Sequence, residues 1–138
     1  MATKTETQRN ISGGYAGEKV SYRFNYSFDA SGGATADTFQ LGVVDKKFIV
    51  TKSLVHVTTA CTSGGSAVVT IGTGTDADAF MDATAGAVAN LVDDDVTADQ
   101  AAGTNLVLAA DETIELAIAT AALTAGDISL YLEGYAAV

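Results

Sequence analysis

His56 and Cys61 carry the side chains best suited to covalent chemistry, and the sequence holds one residue of each type. A cysteine becomes a strong nucleophile when an imidazole within hydrogen-bond distance accepts its proton. Here His56 falls within a β-rich run and Cys61 in the break that follows it, so we expect the two side chains to lie apart. A serine nucleophile would need the same histidine, and no serine lies in a G-x-S-x-G motif. We therefore predict that the chain is not an enzyme.

Two clusters of carboxylates provide the oxygen ligands that Ca²⁺ prefers. The clusters are Asp76, Asp78 and Asp82, and Asp93, Asp94, Asp95 and Asp99. Neither has the spacing of an EF-hand loop, and a single histidine with a single cysteine does not make a zinc site. We interpret both clusters as solvated loops and predict no cofactor, while the question of calcium binding stays open.

Two further patterns suggest chemistry but favour a structural interpretation. Gly72 and Gly74 have the look of a phosphate-binding loop, but the lysine of that motif is absent and Asp76 would repel a phosphate. We predict a turn there. Glu112 and Glu115 could form the carboxylate pair of a glycosidase. Glu115, however, lies on the polar face of an alternating strand, which favours an ordinary surface position.

The charges are divided along the chain. All seven lysine and arginine residues lie in the first 52 positions, whereas residues 53–138 contain twelve acidic residues and no basic one. With a formal net charge of −10, the protein should repel nucleic acid, so we expect no DNA or RNA partner. No apolar run approaches the roughly 20 residues that span a bilayer, and residues 1–10 lack the apolar core of a signal peptide. We expect a protein that contacts no membrane.

Alternating apolar residues predict the first two strands. In residues 20–28 every second residue is apolar or aromatic, which is typical of a strand with one buried face. Residues 38–44 predict a second strand, with Phe39, Leu41 and Val43 on one face. Residues 29–33 between them, DASGG, have the composition of a turn or short loop.

Residues 48–58 and 66–73 are rich in β-branched side chains and predict two further strands. Residues 61–65 between them contain two adjacent glycines, which suit a chain reversal. We therefore predict a β-hairpin, with the first strand central in its sheet and covered on both faces. The expected faces are Phe48, Val50 and Leu54 on one side and Ile49, Val55 and Val57 on the other.

The pattern changes after residue 73 and returns to β near the end. Thr75 could cap a short helix near residues 76–84, followed by a candidate strand at 87–92 and an acidic surface loop at 93–103. The last third predicts strands at 105–109, 113–120 and 128–135, with a turn at 123–127.

The fold class that follows is mainly all-β. Seven to eight short strands separated by turn residues indicate an antiparallel β-sandwich or jelly-roll-like fold, with the one short helix near 76–84. We divide the chain into an N-terminal arm, residues 1–19, and a single sandwich domain, residues 20–138. Because the later part of the chain is acidic, we expect contacts to an acidic partner or a neighbouring copy through residues of the basic N-terminal part. The candidates are Lys4, Arg9, Tyr15, Lys19, Lys46, Lys47 and Lys52.

Two segments of the chain resemble small virion proteins of tailed bacteriophages. They are residues 58–80, TTACTSGGSAVVTIGTGTDADAF, and residues 109–135, AADETIELAIATAALTAGDISLYLEGY. The similarity covers residues 48–135 and lies in the general character and order of the sequence segments. It includes no catalytic motif, so no functional residue can be assigned from it. It implies a head decoration (cement) protein, which is a β-sandwich, frequently trimeric, bound to the outside of a capsid.

The resemblance also implies partners and a location. The expected partners are the major capsid protein and further copies of the chain, as a homotrimer. The expected location is the outer surface of a virion that is assembled in the host cytoplasm. The alternative is a carbohydrate- or receptor-binding module of a phage fibre or cell surface. An open concave surface carrying Tyr22, Tyr26, Tyr131 or Tyr135 would favour that alternative.

Overall fold

The computed structural model of the chain describes residues 19–98 and 106–137. In these ranges eight strands form two antiparallel sheets: β1 (Lys19–Ser27), β2 (Thr38–Val44), β3 (Phe48–Ser63), β4 (Val68–Thr73), β5 (Val96–Ala98), β6 (Leu106–Leu108), β7 (Glu112–Ala119) and β8 (Leu123–Ala136). One helical turn, α1 (Phe28–Ser31), and one 3₁₀ turn, Val88–Asn90, complete the described secondary structure. The predicted antiparallel sandwich of seven to eight strands is confirmed. No helix within the described residues is long and apolar enough to cross a membrane.

The strands are divided between a larger and a smaller sheet. Sheet I has the order β1-β8-β3-β5, with β6 pairing along the first residues of β3, and sheet II has the order β2-β7-β4. The pairings of β1 with β8, of β2 with β7 and of β3 with β6 are nested. The buried apolar side chains of both sheets form a single core.

β1 follows the alternation that its sequence predicts. Phe24 and Tyr26 are buried, while Ser21, Arg23 and Asn25 are exposed. The hydroxyl of Tyr26 donates a hydrogen bond to the carbonyl of Gly32, just after α1. The predicted loop at residues 29–33 therefore begins as a helical turn, and the hydrogen bond from Tyr26 holds its end against β1.

The predicted hairpin of residues 48–58 and 66–73 is wrong. β3 continues to Ser63 and pairs with β8 in sheet I, whereas β4 pairs with β7 in sheet II. The glycine-containing link at residues 64–67 therefore carries the chain from one sheet to the other, and Cys61 lies within a strand. Each run forms a strand, as its local β-propensity predicts, but the choice of partner depends on β7 and β8, which lie far along the chain.

Register shifts change two of the predicted strand faces. A shift between Val50 and Lys52 turns Val55 and Val57 inward with Phe48 and leaves Leu54 outward. β3 is central in sheet I, but its outer face is not covered in the described part of the chain.

A second shift, between Gln40 and Gly42, affects β2. Val44 is fully buried and Val43 is 49% exposed, so the prediction for Val43 is wrong. A residue added on one strand of a pair reverses the alternation that follows it, and the apolar pattern alone does not reveal it.

The predicted helix near residues 76–84 is wrong. Phe80 and Met81 are fully buried, and the segment runs beside the edge of β4, where the amide of Ile71 donates to the carbonyl of Met81 over 3.1 Å. The amide of Val69 likewise donates to the carbonyl of Gly86 over 2.8 Å. The segment thus forms hydrogen bonds with the edge of β4 and covers it, instead of forming the hydrogen bonds of a helix. Gly86 also disfavours a helix here. The predicted strand at 87–92 is a 3₁₀ turn instead.

The last third matches the predicted strands more closely than the predicted turn. β6, β7 and β8 overlap the runs expected at 105–109, 113–120 and 128–135. The turn expected at 123–127 is wrong, because β8 begins at Leu123 and the reversal lies at residues 120–122. The predicted acidic loop at 93–103 contains β5, and its residues 99–103 lie outside the described ranges.

Gly134 in β8 provides a test of how closely β3 and β8 approach. A Cβ atom at this position would lie 1.8 Å from the carbonyl oxygen of Ile49, which is backbone and has little room to move. We expect Gly134→Ala to lower the free energy of unfolding by about 1–3 kcal/mol, the usual range for overpacking. Urea unfolding followed by circular dichroism measures the change.

Gly64→Ala is the matched control, because a Cβ atom there would meet nothing within 4 Å. Its free energy of unfolding should stay within about 0.5 kcal/mol of the parent value. Equal effects of the two substitutions would contradict the close approach of β3 and β8.

Candidate interaction surface

The outer face of sheet I is built from the alternate side chains of its strands that point away from the core. Strand pairing sets its rows, in which Arg23 of β1 lies opposite Tyr131 of β8, and Tyr131 lies opposite Leu54 of β3. In the next row His56 of β3 lies opposite Val96 of β5. Val107 of β6 lies opposite Ile49 of β3. Five strands therefore contribute to one continuous surface, which we call the outer face.

The outer face concentrates the exposed apolar side chains of the described residues. Six large apolar residues are exposed, and four of them lie here: Val96 at 55%, Val107 at 51%, Tyr135 at 44% and Tyr131 at 37%. A shallow depression of about 310 Å³ is lined by Leu54, His56, Val96 and Tyr131. A contiguous apolar surface of this kind is typical of a contact site.

The charges of the outer face differ from those of the rest of the described surface. The face carries Lys19, Arg23 and Lys52, three of the five basic residues in the described ranges, but of their fourteen acidic residues only Asp127 and Glu133 lie in its rows. Lys19 pairs with Glu133 over 3.3 Å. The guanidinium of Arg23 lies 5.6 Å from the centre of the Tyr131 ring, within the range of a cation–π contact.

The structure separates the contact residues that the sequence suggested. Lys19 is the first residue of β1 rather than the end of an arm, Lys52 lies on the outer face, and Lys46 and Lys47 lie in the connection between β2 and β3. Lys4, Arg9 and Tyr15 lie outside the described residues.

The residues of the outer face that sequence reasoning missed include Arg23, Leu54 and Val96, and Tyr131 was named only for the carbohydrate- or receptor-binding alternative. A usable indication was present in β8, where Tyr131 and Tyr135 occupy positions that alternate with the buried Leu130 and Leu132. Bulky aromatic side chains at solvent-facing positions of a strand indicate a contact surface.

His56 and Cys61 do not form a catalytic pair. His56 lies on the outer face, and its Nε2 is 3.2 Å from Oδ1 of Asp94. Cys61 is buried, and burial, with a smaller contribution from Asp127, raises the pKa of its thiol to about 11. A thiol with a raised pKa holds its proton at neutral pH and is a poor nucleophile.

The acidic clusters do not converge into a cation site among the described residues. No group of three or more histidine, cysteine or acidic side chains there is placed to hold a metal ion. The pKa of Asp78 is raised above its ordinary value, because protonated Asp78 donates a hydrogen bond to the carboxylate of Asp76. The turn predicted at Gly72–Gly74 lies slightly later, because Gly72 is still part of β4. After the strand ends at Thr73, its hydroxyl accepts hydrogen bonds from the amides of Thr75 and Asp76.

Two of the four tyrosines that would favour a carbohydrate-binding surface, Tyr22 and Tyr131, line one depression of about 210 Å³. Tyr26 is buried, and Tyr22 is half-buried with its hydroxyl donating to the carboxylate of Asp45. Tyr131 and Tyr135 are exposed on the outer face. Each of these two rings has one apolar and one basic cross-strand neighbour: Leu54 and Arg23 for Tyr131, and Ile49 and Lys19 for Tyr135.

Three buried or half-buried groups make stability sensitive to alkaline pH. Burial raises the pKa of Tyr22 and Tyr26 from 10.0 to about 12, and that of Cys61 from 9.0 to about 11. The unfolded chain loses these protons at lower pH than the folded chain, so the free energy of unfolding should fall as pH rises from 9 toward 12. Urea titrations at a series of pH values measure this fall.

Cys61→Ala is the test variant for the alkaline decline. It removes the group that titrates first, so the fall should begin nearer pH 10, where unfolded tyrosine ionises. A parent protein whose free energy of unfolding is unchanged up to pH 11 would show that these groups are not held in their protonated form.

Comparisons with known proteins find likeness only at the level of the fold. No family model matches the chain, and no curated protein matches it. A chain of the structure described as the Cyanophage Pam1 capsid asymmetric unit matches with a TM-score of 0.64 and 17% identity, over 98% of both chains.

Two further solved structures match in the same way. A chain from the capsid of Ralstonia phage GP4 matches with a TM-score of 0.63 and 18% identity, over 95% of this chain and 92% of that one. A chain from the acidic stable capsid structure of Helicobacter pylori bacteriophage KHP30 matches with a TM-score of 0.57 and 14% identity, over 86% and 91%. The TM-scores show that the fold is shared, and at identities this low the matches show nothing beyond the fold.

Proposed function

We propose that this chain is a structural virion protein that binds the outer surface of a phage head and bridges neighbouring capsomers, as a decoration or cement protein does. The observation that carries the proposal is the match of nearly the whole chain to nearly whole chains of phage capsid structures. The resemblance of residues 48–135 to small virion proteins supports the same role. The partners are then the major capsid protein and further copies of the chain, and assembly takes place in the host cytoplasm.

The charge of the chain supports attachment to the outside of the head. The inner surface of a filled head faces packaged DNA, and a protein with a formal net charge of −10 is repelled by phosphates. On the outside, the same carboxylates face solvent and keep the decorated particle soluble. The seven lysine and arginine side chains are then available for contacts with other proteins of the head.

The mechanism of stabilisation is adhesion. A subunit that contacts two capsomers at once adds buried surface across their boundary, and that surface must be separated before the shell can open. A stable protein contact buries roughly 1,600 Å² in total. A rigid antiparallel sandwich can supply such surface without rearranging.

A binding assay on empty shells tests the proposal. Purified chain, mixed with undecorated shells of the virus that encodes it, should sediment with the shells to a saturating level and should raise the temperature at which they rupture. An unrelated acidic protein of similar mass is the control for trapping. A chain that stays in the supernatant at every concentration would contradict the proposed function.

The N-terminal segment is a second part of the proposal. We expect the arm, residues 1–19, and the basic Lys46, Lys47 and Lys52 to contact the shell or a neighbouring copy. Deletion of residues 2–17 should weaken shell binding by about tenfold or more, since the loss of one good contact has that effect. Fluorescence of labelled protein on sedimented shells measures the occupancy.

The double substitution Lys4→Gln and Arg9→Gln separates charge from length in this test, because it keeps every residue of the segment. A loss that the double variant reproduces assigns the contact to the two charges. Unchanged occupancy after the deletion would refute a role for the segment.

A further inference from the structure

We propose that copies of this chain contact one another through the outer face of sheet I, which packs against the acidic surface of a second copy. The inference deepens the self-association within the proposed function and rests on no claim about the shell. It is carried by the distribution of apolar and charged side chains in the described residues.

The apolar side chains of the outer face lie next to one another in rows across the strands. Tyr131 and Leu54 are direct cross-strand neighbours, and Tyr135, Ile49 and Val107 form a second row across β8, β3 and β6. Val96 lies beside His56 at the margin formed by β5. This composition of tyrosine, aliphatic and arginine side chains matches the buried centre of protein interfaces, in which tyrosine and arginine are enriched.

The charge evidence identifies the occupant. Arg23 and Lys52 have no acidic side chain within 4 Å among the described residues, whereas Lys19 already pairs with Glu133. Outside the rows of the outer face, the described residues contain two lysines and twelve acidic side chains. A second copy therefore offers a surface of opposite sign to Arg23 and Lys52 over most of its area.

The same distribution indicates that unlike surfaces meet. Two outer faces packed on each other would place three basic side chains of each copy, Lys19, Arg23 and Lys52, against two carboxylates, Asp127 and Glu133. An outer face packed on an acidic surface avoids that repulsion. Unlike contacts of this kind close into a ring when the rotation between copies allows it, which is compatible with the expected homotrimer.

Sedimentation of the full chain tests the inference. The parent protein should sediment as a multiple of 14.0 kDa, and its self-association should weaken as salt is added. Tyr131→Lys and Val96→Lys should each raise the dissociation constant by about tenfold or more. Arg23→Glu should also weaken association, because it would face carboxylates. Circular dichroism of each variant confirms that the fold is kept.

Val43→Lys is the matched control, since Val43 is 49% exposed and Val96 is 55% exposed, but Val43 lies in sheet II. Association should survive this substitution.

A parent protein that is monomeric at every concentration would overturn the inference, as would an oligomer that persists in the outer-face variants or is lost equally in Val43→Lys. A monomer whose outer-face variants lose only shell binding would assign the face to the shell instead. Oligomers that do not bind shells would refute the proposed function and leave the inference standing.

Discussion

The pairing of β3 with β8 is the constraint on which the rest of the structure depends. The ladder runs from Phe48 opposite Ala136 to Ser63 opposite Leu123, almost the full length of both strands. β1 pairs along the other edge of β8, and β5 and β6 pair along the other edge of β3. Because β2 precedes β3 and β7 precedes β8, the same ladder brings β2 and β7 together in sheet II. Gly134 and Gly126 permit the close approach, since a side chain at either would meet the backbone of β3.

This pairing explains which parts of the fold the sequence could predict. Alternation identified β1 and β7 because each has one buried face and lies in regular register. Alternation failed in β2 and β3 where register shifts occur, and a shift leaves no mark in the apolar pattern. The hairpin failed because residues 61–65 resemble a reversal locally, whereas β3 finds a longer partner some sixty residues away in β8. The helix failed because Phe80 and Met81 are buried along the edge of β4.

The candidate surface was less predictable than the fold. Residues of five strands form the outer face, and their proximity follows only from the register of β1, β8, β3, β5 and β6. Lys46, Lys47 and Lys52 are close in sequence, yet β3 carries Lys52 onto the outer face and leaves the other two in a connection. The division of charge along the chain was visible in the sequence. Its spatial counterpart, one apolar and basic face on an acidic body, required the paired strands.

A cryo-EM map of heads assembled with and without this chain, at a resolution that separates strands, tests the central claim most directly. The account predicts difference density of the size of the sandwich on the outer surface, across a boundary between capsomers, with the outer face of sheet I covered by a neighbouring copy. Density inside the shell, or no density on the head, would contradict it.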